Sequence, residues 1–328
     1  VLGDLVFFTG NGGVDGTPAV NNISVRLVSD HPGVPGYAAV YETKIYNGDE
    51  ELTSGYSLSS DNSNVIISGN TVTLPAEFKD NTELDGVKIY AAVNGQTAFY
   101  PLMIKKWTLT LQDDFDGDKL NNEIWSNSSG SADCISVNGG KLTMKITADE
   151  NGKEYDPYIT TRNKFSQQYG CFTARMLMPK TTETSVSAFW LLPSNYNKNW
   201  GTSYLFEGTN LSCGEVDIIE YPSDWNGEAQ SALQWWDPTN ISGSHSATSQ
   251  KYKYDKLKNG EYIDVTGVWT ADAVYFYYDG ILQGSITNIS ATGEKACMIL
   301  SMSTWSGEFN PEAVDSLYCT VDYVKAYK

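Results

Sequence analysis

Short alternations of apolar and polar residues recur along the chain, with turn signals between them. The stretch KLTMKIT places Leu142, Met144 and Ile146 on one face of an extended strand, and CFTARMLMP does the same for Phe172, Ala174, Met176 and Met178. VYFYYDGILQGSI reads as a hairpin whose Asp279-Gly280 pair suits a type I′ turn. The C-terminal LYCTVDYVKAYK alternates again. No stretch of useful length has the 3.6-residue period of a helix, and no internal repeat stands out. The pattern predicts an all-β protein.

The first third reads as a small β domain of its own. Ile23-Ser24-Val25-Arg26-Leu27-Val28 and Val65-Ile66-Ile67-Ser68 are strand-like, and Asn11-Gly12-Gly13, Asn47-Gly48-Asp49, Ser68-Gly69-Asn70 and Asn94-Gly95 separate such runs. From Tyr56 to Lys106 the chain resembles bacterial Ig-like domains, through the Ser59-Ser60-Asp61-Asn62 turn, VIISGNTVTLP and VKIYAAVNGQTAFYPLMI. Such a domain carries no chemistry of its own here, and a spacer role is set against a glycan-binding one. The texture changes near Lys105-Lys106-Trp107, which predicts domains 1–106 and 107–328.

One hexapeptide in the larger part carries candidate chemistry: Glu215-Val216-Asp217-Ile218-Ile219-Glu220. In a strand Glu215 and Asp217 share one face, while Val216 and Ile218 turn to the other. Glu220 is three residues beyond Asp217, so an unbroken strand would aim it the wrong way. A β-bulge supplies one extra residue and returns it to the carboxylate face. Carboxylates crowded on one face repel and raise one another's pKa, a poor arrangement for stability alone. It suits acid/base chemistry on a bond held between them. A solvated acidic edge strand would also account for the charges, though it would not readily bury Ile218 and Ile219.

Charge and composition narrow the picture. The 328 residues carry a formal net charge of −18, which disfavours a nucleic-acid partner. Aromatic residues make up 12% of the chain, with 21 Tyr and 9 Trp. No apolar run reaches the roughly 18 residues of a transmembrane helix, and no signal peptide is evident. The chain starts at Val1, which reads as a mature or trimmed form. Cys134, Cys171, Cys213, Cys297 and Cys319 lack zinc-ligand spacing, so buried free thiols and one or two disulfides both stay open. With only His31 and His245 available, a Ser-His-Asp or His-metal mechanism has little to draw on.

Residues from about 107 to 328 resemble glycoside hydrolase family 16, in particular its laminarinase-like endo-glycanases. The matching segments are DDFDG followed by Trp125, NGGKLTM, TTRNKFSQQYGCFTARMLMP, SAFWLLP, GEVDIIEY, VWTADAVYFYYDG and VDYVKAY, in the family's order. The resemblance implies a β-jelly-roll sandwich of two curved sheets with a glycan cleft on the concave face. It implies Glu215 as nucleophile, Asp217 as its helper and Glu220 as general acid/base of a retaining hydrolase, whose two carboxyls stand about 5–5.5 Å apart. The spacing matches the bulged branch of the family, which holds laminarinases and enzymes of galactose-based polymers. Substrate-binding candidates on the resembling segments are Trp190, Arg162, Gln234, Trp235, Trp236 and Trp305, with only one of Trp235 and Trp236 facing the cleft. Tyr169 is expected to pack. Gly140 and Asp322 match the positions of a structural Ca²⁺ site. No cofactor is expected for catalysis.

Two features depart from the family pattern. Gln234 stands where many laminarinases have a His, and Val186-Ser187 where a Trp-Pro pair is common. A neutral amide neither titrates nor carries charge. The expected activity is that of a secreted, monomeric endo-β-glycanase acting on a polysaccharide, β-1,3-glucan or mixed-linkage β-glucan. An endo-β-galactosidase or agarase-like activity, a transglycosylase and a non-catalytic glycan-binding protein are the rivals.

Overall fold

The computed structural model describes residues 23–28, 40–48, 50–73, 88–101, 108–180, 184–194, 214–236, 245–271, 273–287, 294–304 and 316–328. The chain divides into two compact units, Val1–Thr108 with Tyr277–Gln283 and Leu109–Phe276 with Gly284–Lys328.

Eight strands belong to the first part of the chain: β1 (Ile23–Val28), β2 (Val40–Asn47), β3 (Glu50–Leu52), β4 (Tyr56–Ser60), β5 (Ile66–Ser68), β6 (Thr71–Thr73), β7 (Lys88–Val93) and β8 (Gln96–Pro101). They form two antiparallel sheets, β1-β2-β6-β5 with β3 beside β2, and β4-β7-β8. Ile23, Val25, Ile45, Val72, Ile89 and Tyr100 are buried in one shared core. Asn94 and Gly95 have φ of 48° and 81°, the left-handed pair that a tight β7–β8 hairpin requires.

The second unit begins with β9 (Leu109–Asp113), β10 (Ser126–Asn127), β11 (Ile135–Val137), β12 (Leu142–Lys145), β13 (Thr147–Ala148), β14 (Glu154–Tyr155) and β15 (Tyr158–Thr160). It continues through β16 (Gly170–Leu177), β17 (Val186–Pro193), β18 (Gly214–Pro222), β19 (Glu228–Trp236) and β20 (His245–Lys253). β21 (Tyr262–Trp269), β22 (Ala273–Tyr278), β23 (Ile281–Thr287), β24 (Ala296–Ser303) and β25 (Tyr318–Tyr327) follow, the segment Tyr277–Gln283 around the β22–β23 turn counting with the first unit. One sheet runs β10-β15-β24-β17-β18-β19-β20; the other runs β11-β12-β25-β16-β21-β22-β23, with β9 pairing β25.

The alternations in the sequence become the core. Leu142, Met144 and Ile146 are buried, as are Phe172, Ala174, Met176 and Met178. Burying a large apolar side chain contributes about 1.5–3 kcal/mol each, which outweighs the weak local preference of any single strand. Asp279 and Gly280 have φ of 48° and 73°, the type I′ geometry expected for the hairpin. The sheets press together below β18. A Cβ on Gly267 of β21 would lie 2.8 Å from Ile218 Cγ1, so only glycine fits there. The DDFDG segment is structural: Asp113 Oδ2 accepts from Trp125 Nε1 at 2.8 Å, and the buried Trp125 stacks on Phe115, centroids 6.3 Å apart. Cys134, Cys171, Cys297 and Cys319 are buried free thiols, and Cys213 lies outside the described residues.

Candidate active site

β18 holds the three carboxylates, and its register shows how they come together. Its neighbour β19 pairs Glu215 with Gln234, Asp217 with Ala232 and Glu220 with Gln230, and the register shifts between Asp217 and Glu220. On the other side β17 pairs Trp190 with Asp217 and Phe189 with Ile219, again with a shift. One extra residue therefore sits in β18 at the Ile218 position. The chain bulges because Val216, Ile218 and Ile219 are all drawn inward, each at most 2% exposed. Glu220 is turned back to the carboxylate face.

Each carboxylate finds an amide on β19. Gln234 Nε2 donates to Glu215 Oε1 at 2.8 Å and to Asp217 Oδ2 at 2.7 Å. Gln230 Nε2 donates to Glu220 Oε2 at 2.7 Å. The two glutamines are four residues apart on one strand, so both face the same way. Burial, followed by the charge of Glu220, pushes Glu215 up to about 8. Asp217 is raised well above the usual carboxylate range by burial and by its two acidic neighbours, against the pull of Gln234. Burial raises Glu220 as well, and Gln230 opposes it. The three carboxyls therefore titrate as a set and can hold a carboxylic acid beside a carboxylate, the division that glycosidic cleavage needs.

Among the substrate-binding candidates, Gln234 lies in the row itself, spending both amide hydrogens on carboxylates. Trp190 is half-buried, opposite Asp217; its Nε1 donates to Ser301 Oγ at 3.0 Å, and Tyr158 meets its ring edge-on at 6.0 Å. Arg162 lies in the turn after β15, its backbone N–H donating to Thr160 Oγ1 at 3.1 Å. In the sheet order β15 is separated from β18 by β24 and β17. Trp235 and Trp236 end β19, where only their backbone is described, and Trp305 lies outside the described residues. Tyr169 packs edge-on against Trp269, centroids 5.1 Å apart. Gln230 escaped the sequence reading; its same-face spacing from Gln234 was the available signal.

At the two positions matched to a structural Ca²⁺ site, the Asp116 carboxylate comes close to Gly140, and Asp322 is engaged by cations. Asp322 Oδ1 takes Lys141 Nζ at 2.9 Å, and its Oδ2 faces Arg175 Nε at 3.5 Å, so two cations already neutralise it. Among the described residues no group of three or more His, Cys, Asp or Glu side chains is placed to hold a metal ion.

The sequence profile described as Glycosyl hydrolases family 16 matches residues 122–325. A search of curated proteins gave no match. Among solved structures, the laminarinase from Flavobacterium sp. UMI-01 aligns at 22% identity with a TM-score of 0.56, covering 67% of this chain and all of its own. Porphyranase B from Zobellia galactanivorans aligns at 19% identity and 0.55, over 68% of this chain and 93% of its own. The laminarinase catalytic domain from Thermotoga maritima MSB8 aligns at 20% and 0.54, over 68% and 99%.

Proposed function

Because the chain belongs to glycosyl hydrolase family 16, we propose that its second unit is a retaining endo-β-glycanase acting on β-1,3-glucan or mixed-linkage β-1,3-1,4-glucan. The bulge in β18, which sets Glu215, Asp217 and Glu220 on one face, carries this reading. In the microstate where the shared proton rests on Glu220 and Glu215 is ionised, Glu215 attacks the anomeric carbon while Glu220 gives that proton to the departing glycosidic oxygen. A glycosyl ester on Glu215 results. Glu220, now a carboxylate, takes a proton from water as that water displaces Glu215, and the configuration is retained. Gln234 holds Glu215 and Asp217 by one bond to each, and the charge of Asp217 couples to the titration of Glu215.

The glucan assignment is supported by the two laminarinase neighbours. A second reading, a galactan-directed activity, is favoured by Gln234 in the usual His position and by the porphyranase neighbour. The first part of the chain is proposed as an Ig-like spacer ending near residue 106, and the protein as secreted and monomeric. Product analysis over laminarin, barley β-glucan, lichenan, agarose and galactan tests the assignment. Oligosaccharides from the first three alone are expected; products from agarose or galactan alone would select the second reading. Azide tests the roles: Glu220→Ala should yield a β-glycosyl azide and Glu215→Ala an α-azide, whereas the opposite pairing reverses the two.

A further inference from the structure

A polar row crosses the sheet away from Glu220. Glu220 on β18 lies opposite Gln230 on β19, and Gln230 lies opposite Lys251 on β20. Directly opposed residues share a face, and the bond from Gln230 to Glu220 shows that this is the carboxylate face. Tyr252, next along β20, is buried on the other side, so Lys251 projects from the carboxylate face. From strand spacing it stands about 10 Å from Glu220.

Lys251 Nζ lies 3.6 Å from the ring centroid of Trp225 and 3.7 Å from Glu228 Oε1. Trp225 closes the short 3₁₀ turn Ser223–Trp225 that follows β18 directly. The turn is firmly mounted. Ser223 N–H donates to Ser185 O at 2.8 Å, and Ser185 N–H donates to Ser223 Oγ at 2.9 Å. Asn226 and Gly227, with φ of 52° and 89°, then reverse the chain into β19. An indole on a rigid mount thus stands beside one cation and one carboxylate at the β19–β20 end of the face that holds the acid/base residue.

We infer that Trp225, Lys251 and Glu228 form a sugar subsite taking a neutral pyranose of the chain being cleaved, one or two residues from the reacting bond. The apolar face of a pyranose suits the indole face. Lys251 donates to sugar hydroxyls once its flexible stem lifts the ammonium from the ring, and Glu228 accepts from them. Glu228, paired with Lys251, leaves the place without net charge, which suits a neutral sugar. The inference rests on the glycanase reading, and the test separates the two.

The full chain is assayed on a length series of oligosaccharides from whichever polymer the wild type cleaves, alongside a short aryl glycoside. Wild-type kcat/KM should rise with length. In Trp225→Ala the ratio of long-chain to short-substrate kcat/KM should fall about tenfold, mainly through KM, with Trp225→Tyr restoring most of it. Lys251→Met should lower the same ratio, and it leaves the turn intact if Trp225→Ala does not fold. An unchanged ratio in both variants, or an equal loss on every substrate, overturns the subsite while the glycanase reading stands. A wild type that cleaves no polymer overturns both.

Discussion

At the scale of single residues, burying Glu215 among acidic neighbours costs stability and yields reactivity. Its carboxyl, ordinarily near 4.5, is pushed up to about 8 by burial and by Glu220. Between those values the folded protein holds a proton that the unfolded chain has released, so stability falls as pH rises through the window. Glu215→Gln removes the ionisable group and keeps an oxygen that can accept from Gln234. It should reduce turnover by at least about a thousandfold. Its Tm should equal that of wild type near pH 4 and exceed it by several degrees near pH 8; activity assays and thermal melts at both pH values check this. Gln234 acts through the carboxylates. Gln234→Leu leaves Glu215 and Asp217 without their shared donor, so kcat should drop about tenfold to a hundredfold, charge-assisted bonds contributing about 1.5–3 kcal/mol each. The pH at which the acid limb of kcat/KM reaches half-height should move upward, because the donor that favoured the anions is gone. The three carboxylates were legible in the sequence because they sit within six consecutive residues. Gln230, Trp225 and Lys251 were not, since their importance depends on which strands flank β18 and in what register.

At the scale of elements, the bulge is the feature that sequence and structure share most directly. Glu220 stands at the wrong phase for an unbroken strand, and the register shifts on both sides of β18 supply the missing residue. The order of strands around it was not legible: β15 pairs with β24 across more than half of the second unit, a pairing set by the closed core and not by local pattern. Packing beneath the bulge gives a test. Gly267 meets Ile218 so closely that a Cβ would lie 2.8 Å from Cγ1. Gly267→Val should destabilise the protein by about 1–3 kcal/mol through overpacking. It should also lower kcat more than it raises KM, because Ile218 is the inserted residue and its displacement shifts Asp217 and Glu220 against each other. Denaturant unfolding and steady-state kinetics measure the two effects. Equal stability with wild-type kcat would mean that the sheets can part at this point without disturbing the row.

At the scale of the whole molecule, 40 acidic against 22 basic residues set the field through which a substrate approaches. The basic residues at the Gly140 and Asp322 positions are engaged locally: Lys141 and Arg175 both face Asp322, and Arg175 also pairs with buried Asp264 at 2.9 Å. The remaining excess of negative charge repels a polyanionic polysaccharide at a distance and leaves a neutral one unaffected. The Debye length shortens from about 30 Å at 0.01 M salt to about 8 Å at 0.15 M, so added salt removes most of that repulsion. Turnover of a neutral β-glucan should therefore change by less than about twofold over this range. Any cleavage of a sulfated or uronic galactan should rise severalfold with salt, through a lower KM and an unchanged kcat. Initial rates on one neutral and one anionic polymer at the two ionic strengths decide it. If the anionic polymer is instead cleaved best at low salt, a local cation, Lys251 foremost, attracts it despite the overall charge, and the substrate class moves toward the galactans.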